Sequence, residues 1–127
     1  MEKRYFTLGE ARQLLPLIKQ LVGRAVDLSQ EMQGYEQEVR GLVENSANNS
    51  GSPGGTSYLE CLINMRECID KIQQAGCLVK SVQEGLIDFP HWKDDREVYL
   101  CWRYGEDEIR YWHEVEAGFA GRQPIEE

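Results

Sequence analysis

Apolar residues recur at alternating steps of three and four from Ala11 through Leu14, Ile18, Leu21, Ala25, Leu28, Met32, Tyr35 and Val39 to Leu42. That spacing lines one face of a helix and predicts a long α-helix over residues 7–44. Thr7 and Glu10 form a capping box at its start: the hydroxyl accepts from one backbone amide while the carboxylate reaches back to the other. Pro16 lacks an amide proton beyond the first turn, so a kink is expected there. Residues 45–57 are small and polar and predict an interhelical loop. A second stripe, Tyr58, Cys61, Leu62, Met65, Cys68, Ile69 and Ile72, predicts a helix over 58–75, with Thr56 or Ser57 as its cap and Gly76 just past its end. Two helices joined by one loop fold back as an antiparallel hairpin. The shorter helix reaches the longer one only between about Leu42 and Asp27. The seam from Ala11 to Ala25 therefore needs cover from the rest of the chain or from a second subunit.

The period changes after Gly76. Residues 77–103 read as short strands: Cys77 to Val82, Leu86 to Phe89 with Pro90 ending it, and Glu97 to Arg103. In the last of these, Val98, Leu100 and Trp102 face one way and Glu97, Tyr99, Cys101 and Arg103 the other. Acids after Gly105 suggest the first turn of a short helix over 106–117, ended by Gly118 and Gly121. The expected fold is α+β and mainly helical, in one domain of residues 1–127. A long antiparallel helical hairpin carries a small antiparallel β-meander and a short C-terminal helix.

At 127 residues the chain can bury a core without disulfides or metal. Its net charge is −8 and it has no basic block, so neither nucleic acid nor an anionic membrane is an expected partner. The N-terminal residues lack the apolar stretch of a signal peptide, and no apolar run is long enough to span a bilayer. A cytoplasmic location is expected. Cys61, Cys68, Cys77 and Cys101 form no C-x-x-C pair. They read as small buried hydrophobes kept reduced in the cytosol.

Several stretches together carry a resemblance. They are Arg4-Tyr5-Phe6-Thr7-Leu8 with Glu10-Ala11, Gly85-Leu86-Ile87-Asp88-Phe89-Pro90, Glu97-Val98-Tyr99-Leu100-Cys101-Trp102, Gly105-Glu106, Tyr111-Trp112-His113-Glu114, and Gly118 to Pro124. On these the chain resembles the bacterial family labelled domain of unknown function 2203, over nearly its whole length outside the 45–57 loop. The resemblance implies a small, mainly helical soluble bacterial protein of a ferritin-like helical type. It assigns no activity and no catalytic residues.

The chemistry-bearing residues concentrate in the last third, which holds all three tryptophans and both histidines. His113 and Glu116, three apart on a helix, are candidate ligands for a divalent metal, with Asp88, Glu97 or Glu106 completing the shell if the strands fold back over it. The alternative is a structural histidine held by a carboxylate beside Trp112. The run after His113 is not H-E-x-x-H, and no Glu-x-x-His of a di-iron bundle is present. Cys101 with His113 is a candidate nucleophile and base, against a plain packed strand cysteine. Arg96, Arg103 and Arg122, with Trp102 and Trp112 as walls, are candidates for binding a small carboxylate or phosphate. The same arginines, with Arg110, also suit an internal ion-pair network.

The function expected from these features is that of a non-enzymatic binding or assembly protein, acting through its helical seam and aromatic C-terminal face. The uncovered seam makes a homodimer the expected partner state. The alternative is a small metal- or anionic-ligand-dependent enzyme centred on His113.

Overall fold

The computed structural model describes residues 3–45 and 53–126. Helix α1 (Leu8–Asn45) and helix α2 (Pro53–Gln74) precede strands β1 (Leu78–Ser81), β2 (Leu86–Lys93), β3 (Arg96–Arg103), β4 (Tyr111–Glu114) and β5 (Gln123–Pro124). The five strands form one antiparallel meander in the order β1-β2-β3-β4-β5. The chain is thus α+β, with two helices and a five-stranded sheet rather than a ferritin-like helical type.

The capping box forms as the sequence predicts. The Thr7 amide donates to Glu10 Oε1 at 2.8 Å and the Glu10 amide to Thr7 Oγ1 at 3.1 Å. That backbone hydrogen bond holds the Glu10 carboxyl below the usual carboxylate range. α1 continues through Pro16, whose ring lies on the exposed side. α2 starts at Pro53, so Thr56 and Ser57 lie inside it instead of capping it. Proline suits the first turn of a helix, where no amide partner is needed. The rest of the expected loop, residues 46–52, lies outside the described residues, as do the side chains of Val39 and Leu42. Gly76 ends α2 as predicted. Its φ is +103°, its amide donates to the Gln73 carbonyl, and the next amide, of Cys77, donates to Ile72. This pair of bonds is the Schellman arrangement.

Along α1 the buried positions are Ala11, Leu15, Ile18, Val22, Ala25, Val26, Leu28 and Ser29; Leu14 and Leu21 are half-buried. A sheet covers a wider stripe than one helix does, so the buried face is rotated from the expected seam. Phe89, Val98, Leu100, Trp102 and Trp112 from the sheet and Ile72 from α2 complete this core. The sheet therefore covers the seam that α2 cannot reach. Farther along, Cys61 and Cys68 of α2 pack with Ala25 and Leu28 of α1. Cys61 donates to Glu31, whereas Ile69 and Ile72 face Val22 and Ala25, so residue order runs opposite along the two helices here.

Two expectations for the C-terminal half fail. β2 does not end at Pro90 but runs to Lys93. The Pro90 carbonyl points to the β1 side, where it accepts from the Phe6 amide at 2.7 Å. Its missing N–H would point the same way, so the ladder to β3 loses nothing. Asp94 and Asp95, with φ of 51° and 64°, then make the tight turn into β3.

The helix expected over 106–117 does not form. Tyr111–Glu114 is β4, with Leu100 opposite Trp112 and Tyr99 opposite His113. The aromatic run fits a strand, and pairing with β3 buries Trp112 against the core. The acids read as a first helical turn do other work: Glu106 accepts the Arg103 amide at 2.7 Å and pairs with Arg122. Gly118 (φ +66°), a short 3-10 turn (Phe119–Gly121) and Arg122 reverse the chain into β5.

Three substitutions test this architecture. Gly85 has φ +68°, and a Cβ there would lie 2.4 Å from Tyr104 Cβ. Gly85→Ala should destabilise by more than about 1 kcal/mol. Ile72→Ala should cost about 2–5 kcal/mol, while Leu62→Ala on the exposed side of α2 should change stability by less than about 0.5 kcal/mol. Urea unfolding of the three variants measures all of these.

Candidate functional site

Strand alternation sends Ile87, Phe89, Leu100, Trp102 and Trp112 inward to the helices. The same alternation turns Asp88, Cys101 and His113 to the opposite face. Asp88 and Cys101 sit directly across from each other on β2 and β3, and His113 follows on β4 opposite Tyr99. An outer sheet face is ordinarily solvated. Here the segment after β4 folds over it, and the Asp88 and His113 side chains are each only 2% exposed. A cavity of about 130 Å³ remains above the trio, walled by Leu86, Val115, Gly118 and Phe119, with Lys80 beside them.

The ligand atoms of Asp88, Cys101 and His113 all lie within 4.8 Å of one another, and this is the one such trio among the described residues. His113 makes two contacts. Nδ1 is 2.7 Å from the Glu114 carbonyl oxygen, and Nε2 is 3.0 Å from Asp88 Oδ2. A carbonyl oxygen can only accept, so Nδ1 carries the hydrogen of that bond. Nε2 then meets a carboxyl oxygen of Asp88 at hydrogen-bond distance, and either one shared proton or a metal ion joins the two groups. Histidines that bind metals typically donate their other N–H to a backbone carbonyl, as His113 does.

Burial, with the Asp88 carboxylate second, pushes the Cys101 thiol up to about 12. As it stands Cys101 is therefore not an activated nucleophile, which removes the Cys101–His113 nucleophile and base pair in this state. Burial likewise raises Cys77, in the core, to about 12. All four cysteines are free and buried.

The remaining candidates disperse. Glu97 pairs with Lys3, whose ammonium it raises above its ordinary value by hydrogen bonding. Glu116 is exposed and follows the strand, so the three-residue helical spacing to His113 does not exist. Trp102 is fully buried on the inner face, its Nε1 donating to the Glu106 carbonyl at 3.0 Å. Trp112 is also inward, so the two tryptophans do not wall a pocket with the arginines. Arg96 bonds Glu114 through Nε at 2.9 Å and lies 5.8 Å from the Trp112 ring centre. Arg103 lies over Phe119. Arg122 donates to both Glu106 oxygens at 2.7 and 2.9 Å and to the Cys101 carbonyl at 3.3 Å, between the rings of Tyr111 and Phe119. Arg96 and Arg122 thus clamp the C-terminal segment to the sheet rather than to the helices. Arg110 is exposed near Glu108.

Sequence reasoning paired His113 with Glu116, offered Asp88 only as one group that completes the shell, and joined Cys101 to His113 in a separate reading. The in-out alternation of β3 and the recognition of Tyr111–Glu114 as a strand are together what would have joined them. A larger cleft of about 610 Å³ lies between the helices and Tyr104. Its charged walls mix Lys19 and Arg24 with Asp27, Glu31 and Glu60, and no trio of metal donors converges there among the described residues.

A family model described as an uncharacterized conserved protein (DUF2203) matches residues 4–125, and the chain belongs to that family. No curated protein and no solved structure matches it. No helix among the described residues is long and apolar enough to cross a membrane.

The two strongly raised thiols set an alkaline limit. An ordinary cysteine ionises near 9.0, and Cys77 and Cys101 do so at about 12 when folded. Between these values the unfolded chain binds fewer protons than the folded one, so stability falls as pH rises. The contribution is complete below pH 9 and lost toward pH 12. Chemical unfolding at stepped pH should show this decline, and Cys77→Val should flatten it. In native protein at pH 8, iodoacetamide should leave both thiols unmodified, as mass spectrometry of digests reads directly.

Proposed function

We propose that this chain is a small metal-dependent protein of the bacterial cytoplasm. In this reading Asp88, Cys101 and His113 hold a divalent transition metal of the zinc class. The observation that carries it is the buried trio itself: three donor atoms within 4.8 Å of one another, with His113 donating through Nδ1 to a carbonyl and turning Nε2 to the Asp88 carboxyl. Charge supports the same reading. A carboxylate, a thiolate and a neutral imidazole around a divalent ion sum to zero, which removes the usual penalty for a buried charge. Ligands of a tetrahedral zinc site stand about 3.4–3.6 Å apart, so the trio needs only a small adjustment. Three protein ligands leave a fourth position, and the cavity over the trio offers room for it. Such an ion acts as a Lewis acid on whatever takes that position. Neither Glu97 nor Glu116 belongs to this ligand set.

Elemental analysis of zinc-reconstituted protein after desalting tests the reading. About one ion per chain is expected, lost in His113→Ala and Asp88→Asn and retained in Glu97→Gln and Glu116→Gln. Absence of metal in the parent protein, with the fold intact by circular dichroism, would overturn it.

A second reading, assembly into a homodimer, draws on a different observation. Leu59, Leu62 and Ile63 on the outer side of α2 are 58%, 44% and 60% exposed. The sheet already covers the α1 seam, so α2 is the helical surface left for a second copy. Sedimentation equilibrium should show a dimer that Leu62→Glu with Ile63→Glu converts to monomer; a monomeric parent protein excludes it.

A further inference from the structure

Lys80 occupies an unusual place in β1. In the register with β2, Val79 faces Ile87 and Ser81 faces Leu86, so Lys80 is the extra residue of a β-bulge. A bulge re-aims a side chain at the cost of one ladder position, and bulges gather beside functional sites. Lys80 lies on the same sheet face as Asp88, lines the cavity above Asp88, Cys101 and His113, and its Nζ lies 5.0 Å over the Tyr99 ring. Lys80 is the cationic side chain among the residues described as lining that cavity. The rest of the wall, apart from the trio, is Leu86, Val115, Gly118 and Phe119.

These features define an occupant. A wall that is mostly apolar with a single ammonium favours one negative charge next to an apolar body. The metal with its three ligands is neutral, so a monoanion in the fourth position is balanced by Lys80, the ammonium among the described lining residues. The volume, about 130 Å³, is enough for a small ligand. Phe119 closes the far side, held between Arg122 at 4.7 Å and Arg103 at 5.6 Å from its ring centre.

We infer that the open metal position takes a small monocarboxylate, one oxygen on the ion and the anionic charge facing Lys80, with the short alkyl part against Leu86, Val115 and Phe119. The inference rests on the metal reading above and adds the ligand class to it. Lys80 is a binding residue for the carboxylate and takes no part in holding the ion.

Cobalt(II)-loaded protein provides the test, because its visible absorption responds to the ligands of the ion. Titration with sodium acetate at constant ionic strength should give a saturable spectral change, and acetamide should give none. Lys80→Met should bind cobalt as the parent protein does but require about tenfold more acetate for the same change. A cobalt-loaded protein that does not respond to acetate, or a Lys80→Met variant with unchanged acetate dependence, overturns the carboxylate inference and leaves the metal site standing. Failure to bind cobalt at all removes the metal site and this inference with it.

Discussion

Mutual burial of the sheet's inner face and the first half of α1 is the constraint on which the rest depends. Ile72 of α2 meets this face beside Val22, and α2 packs otherwise along the next stretch of α1, which leaves a gap in the cover. Trp102, Phe89 and Leu100 fill that gap. Burial of several large apolar side chains at about 1.5–3 kcal/mol each outweighs the local preferences of the segments involved. It fixes the register of β2, β3 and β4, since a slip of one residue would turn every inward side chain outward.

The polar trio follows from that register. Once Phe89, Leu100 and Trp112 must face the helices, Asp88, Cys101 and His113 must face away, on three adjacent strands. Their burial then depends on the C-terminal segment. Arg122, bonded to Glu106 and to the Cys101 carbonyl, clamps that segment to the sheet, and Phe119 lies against the same guanidinium. The arginine and aromatic cluster thus encloses the trio and is not itself a pocket for an anion.

Much of the helical half was legible. The capping box, the glycine after α2 and the stripe on each helix are local signals, set by neighbours within a few residues. The strand at 96–103 was legible for the same reason, because alternation survives in a short window. The segment 106–117 misled because its acids carry a helical cue while its aromatic residues answer to β3, which lies several residues earlier in the chain. Pro90 misled because a proline is harmless when its nitrogen faces a side with no ladder bond to lose, and only the neighbours of β2 reveal which side that is.

The sequence by itself determined two amphipathic helices, a β-rich C-terminal half, free thiols and a short set of residues able to do chemistry. Each of these follows from composition or from periods of two and of three to four residues. The tertiary structure alone decided that the sheet packs over the α1 seam, and that Cys101 joins Asp88 and His113 while Glu97 and Glu116 stay apart. It also decided that Lys80 overlooks them. These are contacts between residues up to dozens of positions apart. They are set by which strand lies beside which and by where a bulge falls, and no local pattern in the chain encodes that.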